Sequence, residues 1–466
     1  MTDPATEPAA SSLTVELARH VLRPVSQDML DRATLHVLDW IGCAAVGAAT
    51  PTAQAIRTGT GLLQMDDPWQ PLLHDGAVGN ILEMDDIHRA ALVHPGPVVI
   101  PAAFFTARRL KRSGRAFLEA VVRGYEAMIR LGEAVGPAHY RYWHPTATCG
   151  SVGAATAAFS LLQSPDGTVA AGPAVPAGPA GARATTLAHA LGLALTRSAG
   201  LWQVRLESNM AKAWHNAHAA QTGVQAAMLA CGGVTAPTRM LEGEKGFFAA
   251  LCPDARPEAL LADPDGPWKI VETSFKPWPS CRHTHPAIDA ALQLRGHITD
   301  IRQVRIRTYS DAVDFCDNPA PQDEQQARFS LQHAVAVALL HGEPAFAHFS
   351  PASLADGDIV ALRRKVDVFA SSDVSARYPA HFGADLEIES ADGKMLRHAT
   401  LDAQGDPERP LAATAIERKA RDCMAQAGWT AEAIDESVSR LKDIADMVDM
   451  AGWNWCQASA PEPVRA

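Results

Sequence analysis

Aromatic residues are scarce, at 6% of the 466 residues, and valine and isoleucine are outnumbered by alanine. This shortage of strand formers argues against a chain built mainly of sheet and favours helices. No run approaches eighteen clean apolar residues, so no membrane partner is expected. The polar, small-residue-rich start, Met1 to Ser12, lacks the apolar core of a signal peptide. Positive charge is in deficit, with 41 Lys and Arg against 52 Asp and Glu and a net charge of −11. Nucleic acid is therefore not an expected partner, and an anionic ligand would need a local positive pocket. The eight cysteines show no Cys-x-x-Cys pair and no zinc spacing. They read as reduced thiols of a cytoplasmic protein. The fingerprints of dinucleotide, P-loop and serine-hydrolase sites are all missing, and the expected cofactor is none.

What is present is a set of polar clusters set between apolar helices. The densest is Gly79-Asn80-Ile81-Leu82-Glu83-Met84-Asp85-Asp86-Ile87-His88-Arg89-Ala90-Ala91-Leu92-Val93-His94-Pro95-Gly96-Pro97. Charges between buried segments are costly unless they pair with each other or with a ligand. Two readings follow: a reactive site, or a salt-bridged helix end with Asp85 or Asp86 paired to Arg89 at helical spacing. A second cluster runs from His139 through Tyr140 and Trp143 to His144 and Thr148. It leads into the small-residue run Gly150 to Ala158, which suits close helix packing. A third holds Lys212, His215 and His218, each three apart and able to share a helix face. The fourth is Ser274-Phe275-Lys276-Pro277-Trp278-Pro279-Ser280-Cys281-Arg282-His283-Thr284-His285-Pro286.

Length suggests at least two cores, since single cores rarely exceed ~300 residues. Helices are expected at 13–24, 27–48, 101–111, 115–135, 185–200 and 286–296, with Pro95-Gly96-Pro97 as a break. The Pro/Gly/Ala-rich stretch 164–183 reads as a surface loop. Strand alternation appears only after about residue 300: Ile301 to Tyr309, Val366 to Phe369, then a hairpin, Ala384–Glu389 and Met395–His398, around Asp392-Gly393. From Pro410 the chain is helical again. The expected fold is mainly α with an inserted α+β domain: a helical domain from residues 1–265 and 401–466, and an α+β lid at 266–400.

Histidines and carboxylates move protons near neutral pH, and lysines hold carboxylates or a developing enolate. With cofactor fingerprints absent, the clusters suggest cofactor-free proton abstraction next to a carboxylate. Water loss, carbon dioxide loss or return of the proton to the other face would each complete a reaction. Two rivals stand beside this reading. One is a metal-dependent hydro-lyase with Glu83, Asp85, Asp86, His88 and His94 as ligands. The other is a non-catalytic polycarboxylate-binding protein.

The ordered set resembles the MmgE/PrpD family, which includes 2-methylcitrate dehydratase, cis-aconitate decarboxylase and iminodisuccinate epimerase. The features that carry the resemblance are Asp85-Asp86 with His94-Pro95-Gly96, Trp143-His144-Pro145-Thr146, Lys212 with His215, Phe275-Lys276-Pro277-Trp278-Pro279, Phe329-Ser330-Leu331 and the late Asp392-Gly393 hairpin. The resemblance implies a homodimer acting on a small polycarboxylate, with no bound metal. It implies an active site of Asp86, His94, His144, Lys212 and Lys276. Arg89, Tyr140, His215, Cys281, His283 and His285 are expected to contact substrate. In this assignment His94 and His144 move protons, Asp86 orients one of them, and the lysines bind carboxylates. One departure stands out: decarboxylases of the family carry a histidine five residues after the lid lysine, where this chain has Cys281.

Overall fold

The computed structural model describes residues 12–62, 67–163, 180–207, 209–297 and 300–455. Most of the expected loop at 164–183 lies outside these residues. The chain divides into two compact units. The first comprises residues 1–79, 91–271 and 424–466, and the second 80–90 and 272–423. The expected boundaries placed 80–90 and 401–423 with the helical domain; contacts place both with the sheet.

The first unit is built of helices α1 (Leu13–Val21), α2 (Gln27–Ala48), α3 (Gln70–Val78), α4 (Gly96–Arg109), α5 (Gly114–Ala134), α6 (Pro145–Leu162), α7 (Ala180–Leu195) and α8 (Ala211–Cys231), with Ala431–Lys442 returning to it near the end. Residues 145–161 of α6 are all buried, so this helix is enclosed on every side. Its small residues permit that. A Cβ on Gly153 would lie 2.8 Å from Met128 Cβ, and one on Gly223 of α8 would lie 2.5 Å from Ala154 Cβ. Helix α4 starts within the Pro95-Gly96-Pro97 motif rather than after it. Proline at a first helical turn gives up an N–H that has no partner there, so the motif opens the helix instead of breaking it.

A buried charge cluster braces this unit. Glu126 of α5 accepts from Arg130 Nε at 2.7 Å and from the Lys269 backbone N–H at 2.6 Å, and pairs with His20 Nε2 at 2.8 Å. Burial pushes the Glu126 carboxyl up, but these partners outweigh it and pull it down to about 2. A carboxylate depressed in the folded state stabilises above its unfolded value of ~4.5, and that contribution is lost as pH falls toward 2. The linkage is worth ~3 kcal/mol at neutral pH. Glu126→Gln is therefore expected to lower the pH 7 melting temperature and to flatten the loss of stability between pH 4.5 and 2. An unchanged acid slope in a melting series would refute the assignment.

The second unit is organised on a four-stranded sheet of order β2-β1-β3-β4. Its strands and the two helices packed on them are, in chain order, α9 (His285–Leu294), β1 (Ile301–Thr308), α10 (Leu331–His341), β2 (Val366–Ala370), β3 (Ala384–Ser390) and β4 (Met395–Thr400). Strand β1 pairs in parallel with β2 and antiparallel with β3, placing Val304 beside Val366 and Ile388. Val304, Ile306 and Thr308 are buried and their neighbours less so, the alternation expected of a sheet covered on one face. That face packs on Ile288, Ala291, Val335 and Leu339 of α9 and α10.

Candidate active site

In the first unit the site is assembled around the start of α6. His144 is its N-cap and Pro145 its first residue. The approach to this cap is a short antiparallel pairing of Trp143 with Leu201. Trp202 donates its backbone N–H to Tyr142 O at 2.9 Å, and His144 donates its own to Gly200 O at 2.9 Å. Only glycine fits at 200: its φ is +126°, and a Cβ there would lie 2.8 Å from Ala147 Cβ and 3.4 Å from His215 Nδ1. The turn thus sets the His144 ring against Trp202, at 4.4 Å between centroids, and against His215 of α8, with the two Nδ1 atoms 3.2 Å apart. Tyr140 meets Trp202 edge-on at 5.8 Å. His94, just before α4, is tied to the same helix end, because its backbone N–H donates to Thr146 Oγ1 at 3.1 Å.

Lys212 lies one turn before His215 on α8, as the spacing predicted. Burial, then the charges of Lys212 and His218, pull the His215 imidazole down to about 4. His215 is therefore neutral at pH 7. Sequence reasoning missed its neighbour Asn216, which is fully buried and whose side-chain nitrogen and oxygen meet no partner among the described residues. The only signal was an amide on the apolar, alanine-rich face of α8.

In the second unit the acidic stretch is not a helix end. Residues 80–90 are turns and a bridge, with Ile87 and Ser274 exchanging backbone bonds of 3.0 and 2.8 Å. Two lysines hold successive carbonyls of this stretch. Lys276 donates to Glu83 O at 3.0 Å and Lys419 to Met84 O at 2.6 Å. Glu83 takes φ +57°, a left-handed conformation that costs a non-glycine residue energy and that these contacts maintain. The Lys276 ammonium is fully buried and lies 3.7 Å from a carboxylate oxygen of both Glu83 and Asp85. Asp85 also accepts from Asn80 Nδ2 at 2.7 Å, and Asp86 is buried.

Arg89 is not the helical-spacing partner that Asp85 or Asp86 was expected to find. Its guanidinium pairs with Asp402 and Glu408, each at 2.7 Å, and with Asp406 at 3.2 Å, not with Asp85 or Asp86. Three carboxylates on one cation leave it a scaffold for the 402–408 loop. Arg282 pairs with the same Asp406.

The fourth cluster has local partners too. His285 Nε2 donates to Ser280 O at 3.2 Å and its Nδ1 accepts from Arg282 at 3.1 Å, while burial drives its pKa well below normal. Both of its nitrogens are thus engaged inside the protein. His283 Nδ1 bonds Tyr309 OH at 2.5 Å, and its ring stacks on Phe382. Burial works against a Cys281 thiolate, but a bond with Cys316, the Lys276 charge and the His283 backbone N–H outweigh it and bring the thiol below its usual value.

Among the described residues of this unit, no three of Glu83, Asp85, Asp86 and His88 hold donor atoms close enough for one ion. His381, Asp402 and Glu408 do gather within 4.8 Å. The Arg89 cation already bonds both carboxylates there and opposes a metal. No single helix among the described residues is long and apolar enough to cross a membrane.

Known proteins supply a context for this geometry. The MmgE/PrpD N-terminal domain matches residues 13–177 and 167–260, and the MmgE/PrpD C-terminal domain matches 278–443. A cis-aconitate decarboxylase-like protein (oryM) of Aspergillus oryzae is 26% identical, covering 94% of this chain and 96% of its own. The cis-aconitate decarboxylase of Aspergillus terreus is 24% identical over 91% and 89%, and that of Homo sapiens 25% identical over 80% and 76%. On the strength of the two domain matches, which together take in most of its length, this chain belongs to the MmgE/PrpD family.

Proposed function

We propose that the protein is a lyase that acts on a small di- or tricarboxylate by moving a proton next to a carboxylate, without a cofactor. The observation that carries the reading is the His144–His215 pair, 3.2 Å apart and one turn from Lys212, in a chain whose family relatives include proteins named cis-aconitate decarboxylases. A neutral imidazole takes the proton from carbon, and the electron pair flows into the adjacent carboxylate. A lysine ammonium stabilises the charge that develops there. Expulsion of a hydroxyl then yields water, with the proton supplied by the imidazolium. In the decarboxylating variant no proton is abstracted: the bond to the carboxylate breaks, carbon dioxide leaves, the electron pair stays on the substrate carbon, and an imidazolium that starts the cycle protonated supplies the proton that this carbon takes up.

In this reading His94 and His144 are the proton-moving groups and Lys212 receives the substrate carboxylate. Asp86 and Lys276 supply charge in the second unit, with Glu83 and Asp85 held in place by Lys276. Tyr140 is a donor beside Trp202, Cys281 replaces the decarboxylase histidine, and Arg89, His283 and His285 support the segments that carry these groups. The reading extends to a homodimer in the cytoplasm.

The test is proton NMR of chelator-treated protein in deuterated water with citrate, methylcitrate, cis-aconitate, malate and iminodiacids. Deuterium incorporation or product formation on at least one member is expected, and the product names the reaction. Silence across the panel would overturn the reading. Activity lost on chelation and restored by a divalent ion would favour the metal-dependent hydro-lyase instead.

A further inference from the structure

The rings of His144 and His215 face each other through the same nitrogen, with Nδ1 atoms 3.2 Å apart and planes inclined by 44°. At that distance one Nδ1 carries hydrogen and donates, and the other presents its lone pair. Two lone pairs would repel and two N–H groups would collide. The tautomer of each ring therefore fixes that of the other. The backbone enforces the contact: Gly200 holds His144 by a 2.9 Å bond and leaves the space against His215 Nδ1 that a side chain would fill.

Building on the proton-abstraction reading above, we propose that His215 is a positioning residue that accepts the Nδ1–H of His144 and so leaves His144 Nε2 bare as the base. The opposite tautomer would put hydrogen on Nε2 and remove the base. When the substrate C–H bond breaks, its proton moves to Nε2 and its electron pair stays on the substrate. His144 becomes an imidazolium whose Nδ1–H still rests on the His215 lone pair. The Nε2 proton then leaves with the expelled hydroxyl or returns to carbon, which restores the neutral pair. His215 itself need not change protonation.

The charged and titratable groups that bear on the His215 imidazole include Lys212 and His218 on α8, and Tyr140 lies on the other side of Trp202, which packs against the His144 ring. Burial, with Lys212 and His218, opposes a positive charge on His215. The arrangement resembles the orienting partner of a general base elsewhere in enzymology, with a neutral ring in place of a carboxylate.

The test reads ring nitrogens directly in protein labelled with 15N-histidine, at pH 7 and without substrate, with signals assigned through His144→Gln and His215→Asn. The expected result is His144 protonated at Nδ1 and bare at Nε2, and His215 bare at Nδ1. In His215→Leu the His144 tautomers should mix. Its kcat should fall by ~10–100-fold, with KM nearly constant and the acid limb of the kcat profile displaced. His215→Asn, whose Oδ1 can accept the same bond, should recover most of that loss. His144 found as the Nε2–H tautomer, or a His144 spectrum unchanged in His215→Leu, would overturn the proposal. An inert protein with the expected tautomers would strike the functional reading alone, and an active one with the opposite tautomer would strike this inference alone.

Discussion

His144→Asn is expected to raise the melting temperature slightly while lowering kcat by ~10²–10⁴-fold. The two effects have separate causes at one residue. His144 occupies the N-cap of α6 with extended backbone, φ −81° and ψ 102°, yet its side chain makes no capping bond. Asparagine is among the best N-cap residues, because its short oxygen reaches the exposed N–H groups of the first turn, a gain of up to ~1 kcal/mol over a non-capping side chain. The helix end has thus given up a stabilising contact to present an imidazole to His215. Asparagine would restore the contact and remove the imidazole that is proposed to take the proton. Such opposition between stability and activity is the mark of a functional residue at a structural position. A purely structural His144 makes the other prediction: a change in melting temperature with turnover close to wild type. Thermal melts and steady-state rates on the substrate identified by the NMR panel decide between them.

The sequence made local order legible and left long-range pairing hidden. The alternation of Val304, Ile306 and Thr308 is a property of adjacent residues, and so is the Asp392-Gly393 turn, where Gly393 takes φ +86° and Glu389 pairs with Met395. The three-residue spacing of Lys212 and His215 likewise survives folding unchanged. Arg89 shows the limit. Helical spacing offered Asp85 and Asp86 as partners, but the stretch is not helical, and the carboxylates that hold Arg89 lie more than 300 residues away. The placement of 80–90 with the sheet unit was hidden for the same reason, since it depends on Lys276, Lys419 and Ser274. The Nδ1–Nδ1 contact of His144 and His215 spans 71 residues and is created by the turn at Gly200, which carries no motif of its own. His94, His144, Lys212 and Lys276 were found through their family pattern. Their partners were not, because a pattern names residues and leaves out the contacts that hold them.

Gly405→Ala should be among the most damaging single-methyl additions in the second unit, costing ~3 kcal/mol or more. Gly405 adopts φ +93°, where an L side chain is strained, and a Cβ there would lie 1.9 Å from the carbonyl oxygen of Phe275. That oxygen belongs to backbone, so no rotamer can clear it. The same glycine accepts the Phe275 N–H at 3.0 Å. Any shift that relieves the clash therefore moves the residue next to Lys276, whose fully buried ammonium holds Glu83 O. Gly393→Ala is the matched control: φ is similarly positive, but no atom lies within 4 Å of the added carbon. Its cost should be the conformational one alone, ~1 kcal/mol. Urea denaturation of the two variants separates strain from collision. A Gly405→Ala protein with the same loss as Gly393→Ala would show that the Phe275 backbone yields freely, and Lys276 could not then be held by that crossing. The expected result is a much larger loss for Gly405→Ala, accompanied by a fall in kcat that Gly393→Ala does not share.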